Sequence, residues 1–153
     1  MNFRMPRFVY LLVVMGVAFV SCDKVPMNGP LDGMWQLMTI ETPDSTHEAR
    51  SEELFLSFQL HLTQWEKKHT ATTIYAHFER QGDSLRVYDF ASAALHDLSQ
   101  GDDDHLLTPA QMADGAMNLW GIHTVDARFH IDRLDSKDLI LTSADTTLTF
   151  RKF

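Results

Sequence analysis

The chain has 153 residues, a formal net charge of −8 at pH 7, 44% hydrophobic residues and a single cysteine. A balance this acidic excludes a sequence-tolerant nucleic-acid binder and an electrostatic partner of anionic membrane surfaces. One cysteine excludes an internal disulfide, so an exported form is held together by packing alone.

The N-terminus carries Arg4 and Arg7 without an acid, and an almost unbroken apolar run follows over residues 8–20. That run is short for a spanning helix, which needs about 20 apolar residues, and it ends on a small residue and a polar break, the shape of a signal peptide over residues 1–21. Cys22 stands directly after it in the stretch VAFVSCD. A lone cysteine there resembles the bacterial lipobox, whose thiol is acylated and becomes the first residue of the mature protein. The alternative is a generic secretory signal with an incidental cysteine. Acyl chains stabilise membrane attachment by about 0.8 kcal/mol per buried CH₂. A lipidated Cys22 therefore implies a protein tethered in the cell envelope, on the outer membrane, with the lipid as its membrane partner. Residues 22–31 carry two prolines and a glycine and read as a tether. Residues 32–153 form the one domain, about 120 residues and large enough for a real core.

Within residues 54–62 the even positions are Leu54, Leu56, Phe58, Leu60 and Leu62. Period two over this length predicts a strand with one face in a core. Residues 72–80 repeat the pattern with Ile74, Ala76 and Phe78, and the turn Gln81-Gly82-Asp83 leads into Leu85 to Tyr88 as a hairpin. Residues 127–134, 138–142 and 147–153 are three further strands joined by polar turns. With residues 34–41 these make seven strands, and residues 118–123 are a weaker eighth. Between the halves, Thr108 can cap a short helix, Pro109 suits its first position, Gln111 completes a capping box and Gly115 can stop it. Residues 92–98 predict another helical turn. The fold class is all-β: an antiparallel up-and-down barrel of about eight strands, interrupted once by a helical crossover, with closure removing the exposed edges.

The domain opens Leu31-Asp32-Gly33-Met34-Trp35, and Gly-x-Trp at the start of a first barrel strand resembles the lipocalin and calycin signature. That resemblance implies that Gly33 turns the chain into the barrel and that Trp35 packs across its closed end. It also implies that Arg151, on the last strand, lies over the tryptophan, a cation–π contact of about 0.5–2 kcal/mol. With its lipobox, the FLSFQLHL strand, the GDSLRVYDF hairpin and the TLTFRKF ending, the chain is similar to lipocalin-like lipoproteins of the Bacteroidota envelope. It departs from true lipocalins in lacking a Thr-Asp-Tyr turn and a long C-terminal helix.

Eight histidines invite a metal reading, with His61 and His77 on neighbouring strands beside Glu79, but no His-Glu-x-x-His spacing occurs and solvated outer-face histidines explain them. Asp102-Asp103-Asp104-His105 lacks the alternation and glycine pivot of a calcium loop. His123, Asp126 and His130 come with no Gly-x-Ser-x-Gly elbow. No catalytic residue, metal or cofactor is assigned. The aromatics, among them Trp35, Trp65, Trp120, Phe55, Tyr75 and Tyr88, either line a cavity or fill the barrel. The expected role is non-enzymatic binding of a small apolar or amphipathic ligand by the inward residues Leu56, Phe58, Leu60, Ile74, Phe78, Leu85 and Val87. The alternative is a filled barrel that meets an envelope protein through its acidic surface or through residues 91–115.

Overall fold

The computed structural model describes residues 27–71, 73–92 and 106–153. The signal peptide, Cys22, most of the helical turn expected at residues 92–98 and the acidic turn at 102–105 lie outside the described residues.

Among the described residues nine strands lie in one antiparallel sheet: β1 (Gly33–Thr42), β2 (Ser45–Glu48), β3 (Leu54–Gln59), β4 (Leu62–Lys67), β5 (Thr73–Gln81), β6 (Ser84–Ser92), β7 (Asp126–Leu134), β8 (Asp138–Thr142) and β9 (Thr147–Lys152). Strands β3 to β9 follow one another as neighbours, and β9 returns to pair with β1. The sheet is thereby a closed eight-stranded barrel, with β2 an appendage on the far half of β1. Closure leaves the barrel strands no long unpaired edge. The one helix described, α1 (Pro109–Ala113), sits in the β6–β7 crossover. Its capping box is made: the Gln111 amide donates to Thr108 Oγ1 at 3.3 Å, and the Thr108 amide to Gln111 Oε1 at 2.8 Å.

Three expectations are corrected. Residues 118–123 are not a strand: Asn118–Trp120 is a 3₁₀ turn ending on left-handed Gly121. The apolar run 54–62 is not one strand but the end of β3 and the start of β4. Gln59 pairs with Leu62, and Leu60 and His61 form the turn between them. Leu60 takes φ 57° and is 59% exposed, so it is a turn residue and not an inward ligand contact. Its carbonyl accepts from Asn28 Nδ2 at 2.9 Å, which fixes the turn. Beyond it the inward parity moves to Thr63 and Trp65. His61, being in the turn, does not belong to a strand face. β2 carries no apolar alternation to announce it, because all four residues are exposed.

Leu31, placed by the sequence at the end of the tether, is fully buried on the 3₁₀ turn Gly29–Leu31. The core then runs from Leu31 to Phe150 as a single cluster, and the sheet closes within residues 33–152. Among the described residues the barrel thus has one core of its own.

The β7–β8 turn is set by one carboxylate. Asp135 accepts from the amides of Lys137 (2.8 Å) and Asp138 (2.9 Å) and from Arg133 Nε (2.7 Å). These bonds, the two amides first, pull its pKa down to about 2. A carboxylate with a depressed folded pKa contributes stability that is present above its unfolded pKa and is lost as pH falls through the folded one. The wild-type melting temperature is therefore expected to drop between about pH 4 and pH 2. Asp135→Asn should show a smaller drop across the same window, measured by thermal denaturation monitored by circular dichroism. An identical drop would show that the turn carboxylate carries none of the acid sensitivity.

Candidate functional site

The barrel's two ends are built differently. At one end Gly33 enters β1 at φ +111°, a conformation that L side chains rarely adopt. Trp35, two residues on, is fully buried and donates from Nε1 to the Leu31 carbonyl at 2.9 Å. The cation over its ring is Lys152, with Nζ 4.1 Å from the centroid. Arg151 does not take that place. It pairs with Gln36 on the outer face and is exposed, because the alternation that turns Leu148 and Phe150 inward turns residue 152 inward and 151 outward. Lys152 Nζ also donates to the carbonyls of Pro30, at 3.1 Å, and Asp32. Its pKa is lowered by burial, against a smaller opposite effect of Asp32. Gly33, Trp35 and Lys152 are thus a single closure.

A Cβ on Gly33 would lie 3.0 Å from Lys152 Nζ and 3.2 Å from its Cε. Gly33→Ala is therefore expected to cost about 1–3 kcal/mol, from backbone strain and from displacing the ammonium off the Trp35 ring. A urea-unfolding midpoint unchanged from wild type would contradict this.

The crossover plugs the other end. Leu107 N donates to the Phe90 carbonyl at 2.7 Å, which ties the returning chain to the end of β6. Met112, Met117, Trp120 and Ile122 then drop into the barrel core, all at most 3% exposed. Gly121, left-handed at φ +67°, packs so closely that a Cβ would meet Ile40 Cγ2 at 3.2 Å. Trp120 stands edge-on to Trp65, with centroids 6.2 Å apart and planes at 78°. Trp65 donates its N–H to Thr63 Oγ1 at 3.0 Å. The Trp120 N–H, also fully buried, has no acceptor among the described residues. An unsatisfied buried donor costs about 1–3 kcal/mol.

Beside the plug, the chain's return into β7 leaves a cleft of about 280 Å³. Its apolar wall is Ile122, Ala127 and Phe129, and its polar rim includes His123, Arg128 and Asp145. The volume is close to the lower end of small-molecule sites, about 300 Å³.

The other inward residues expected to contact ligand, Leu56, Phe58, Ile74, Phe78, Leu85 and Val87, are brought together in the barrel core, each at most 5% exposed. Phe58 meets Phe78 edge-on at 5.1 Å. They line neither the crossover cleft nor a larger cleft on the outer wall. Tyr75 and Tyr88 are not cavity residues. Tyr75 is 41% exposed, and Tyr88 lies on the outer wall between His77, stacked at 5.8 Å, and Arg86, 4.4 Å from its ring. Asp126 is engaged by Arg86 through two bonds of 2.9 and 3.0 Å, and the hydrogen bonds from that guanidinium hold its carboxyl below the usual range. Met112, Met117 and Trp120 form the plug; Trp120 was expected on a weak strand and among aromatics that line a cavity or fill the barrel, while Met112 and Met117 were given no role. The capping pattern of α1 marks a helix but not where its apolar side chains go.

Comparison with known proteins places this geometry. A lipocalin-like protein from Bacteroides uniformis ATCC 8492 matches with a TM-score of 0.56 and 21% identity, over 82% of this chain and 100% of that one. An uncharacterized protein from Bacteroides eggerthii DSM 20697 matches at 0.57 and 22%, over 80% and 99%. A protein from Burkholderia xenovorans matches at 0.50 and 13%, over 80% and 83%. Among curated proteins there is no match. The family model for the lipocalin-like domain matches residues 17–153, and the chain belongs to that family.

Proposed function

We propose that the protein is an outer-membrane lipoprotein, anchored through acyl chains on Cys22, whose barrel takes up one small apolar or amphipathic molecule at its crossover end and performs no chemistry on it. The observation that carries the reading is the Trp120 N–H, buried among apolar side chains at a barrel end with no acceptor among the described residues. A ligand oxygen or nitrogen there would satisfy the donor, while Met112 and Met117, unbranched and adaptable, would repack around its apolar body. The family's barrel is compatible with such a ligand.

Two arms test this. In a Gram-negative host, an alkyne fatty-acid probe should label the full-length chain, and Cys22→Ser should lose both the label and the membrane attachment. A Cys22→Ser form that stays equally membrane-bound refutes the anchor. Native mass spectrometry of residues 27–153 with N-phenyl-1-naphthylamine, an uncharged apolar probe, should show a one-to-one adduct. No adduct sinks the ligand reading.

A second reading has its own observation: Trp35, Trp65 and Trp120 are all fully buried in one cluster with the barrel's leucines and phenylalanines. A barrel filled in this way serves as a structural module that meets an envelope protein with its outer surface. Absence of the adduct together with retained anchoring would favour it.

A further inference from the structure

Phe55 is in an unusual position. It points away from the barrel interior, since Leu54, Leu56 and Phe58 supply the inward side chains of β3, and it stands outside the core cluster. Yet it is only 4% exposed. What covers it is a small aromatic assembly on the outer wall. Phe153 meets it edge-on, with centroids 5.0 Å apart and planes at 78°. Lys68 Nζ sits 5.3 Å from the Phe55 ring and 5.1 Å from the Phe153 ring. The backbone holds Phe153 there, because its amide donates to the Met34 carbonyl at 3.0 Å.

This assembly is the floor of a cleft of about 590 Å³, walled by Arg50 and Lys68 together with Glu48 and Glu53. A volume of that order is well inside the range of about 300–1,000 Å³ for small-molecule sites. The charges are not matched among themselves. The Glu53 carboxylate lies 3.6 Å from His69. No described carboxylate comes within 4.0 Å of the Arg50 guanidinium or the Lys68 ammonium. On a chain of net charge −8, a wall whose two cations equal its two acids, and have no described carboxylate partner, is locally neutral.

We infer that this outer-wall cleft is a second binding site, for a flat apolar molecule carrying one anionic group. The exposed ring of Phe153, backed by the buried ring of Phe55, takes the apolar body. Arg50 and Lys68 take the carboxylate or sulfonate, and a charge-assisted bond is stronger than a neutral one. Glu48, on the same wall, selects against molecules with several negative charges. The site is separate from the crossover end and does not require the barrel core to open.

8-Anilinonaphthalene-1-sulfonate has this chemistry, and N-phenyl-1-naphthylamine is the same ring system without the charge. Titrated into residues 27–153, the sulfonate should saturate at one molecule and shift the amide resonances of Ser51, Lys68 and Phe153. The double variant Arg50→Gln/Lys68→Gln should bind it at least about tenfold more weakly, a loss near 1.4 kcal/mol. Its affinity for the uncharged probe should stay within about twofold of wild type. The assignment is overturned if the sulfonate does not saturate, if it shifts only residues of the crossover end such as Met117 and Phe129, or if the double variant binds it as wild type does. The resonance map uses the wild-type barrel, so it decides even where a variant folds poorly. Failure of the uncharged probe at the crossover end would leave this result untouched.

Discussion

Trp35→Ala is expected to lower the unfolding free energy by about 3–5 kcal/mol, at the upper part of that range. The side chain is fully buried, so its removal leaves a cavity at the closed end of the barrel. Two further losses add to the cavity. The Leu31 carbonyl loses the indole donor at 2.9 Å, and Lys152 loses the ring beneath its ammonium. Domains of this size are stable by only about 5–15 kcal/mol, so the variant should be close to unfolding at ambient temperature. Chemical denaturation measures it, and a loss below about 2 kcal/mol would mean that the closed end does not depend on this tryptophan.

Trp120→Ala makes a comparable cavity at the other end, but the expected loss is smaller by about 1–3 kcal/mol. The difference lies in the N–H. Trp35 gives up a made hydrogen bond, whereas Trp120 gives up a buried donor that has no acceptor among the described residues. Deleting an unsatisfied group removes its desolvation cost and so offsets part of the cavity cost. Both variants measured side by side in urea make the comparison independent of the absolute scale. If Trp120→Ala proves the more damaging, its N–H is not the liability that the geometry makes it.

Much of the barrel was legible from alternation alone. Ile74, Ala76 and Phe78 face inward as their spacing requires, and β8 runs over the residues expected. Thr108, Pro109 and Gln111 announced α1 because capping is local chemistry. The turn at Leu60 and His61 was invisible because neither residue is a turn former, and the apolar run continued across it. Only the pairing of Gln59 with Leu62 reveals the reversal. β2 is polar throughout and owes its extension to pairing with Thr39 to Thr42 of β1.

Lys152 is the sharper lesson. Its inward parity could be read from Leu148 and Phe150, yet the lipocalin resemblance pointed to Arg151 one position earlier. The cation that lies on the Trp35 ring is Lys152. Phe55 and Trp120 have environments that no local pattern announces. That one is buried outside the barrel by Phe153 and Lys68, and that the other is buried without an acceptor, are tertiary facts with no local pattern.

The central claim, that the crossover end of the barrel admits one apolar molecule, is tested most directly by amide and indole resonances. Residues 27–153, labelled with ¹⁵N, would be titrated with N-phenyl-1-naphthylamine. The expected result is saturation at one molecule, with the largest shifts at Met112, Met117, Ile122 and the Trp120 indole, and little change at the Trp35 indole of the closed end. Shifts absent throughout, or confined to residues remote from the crossover, would contradict it and leave the filled barrel as the better description.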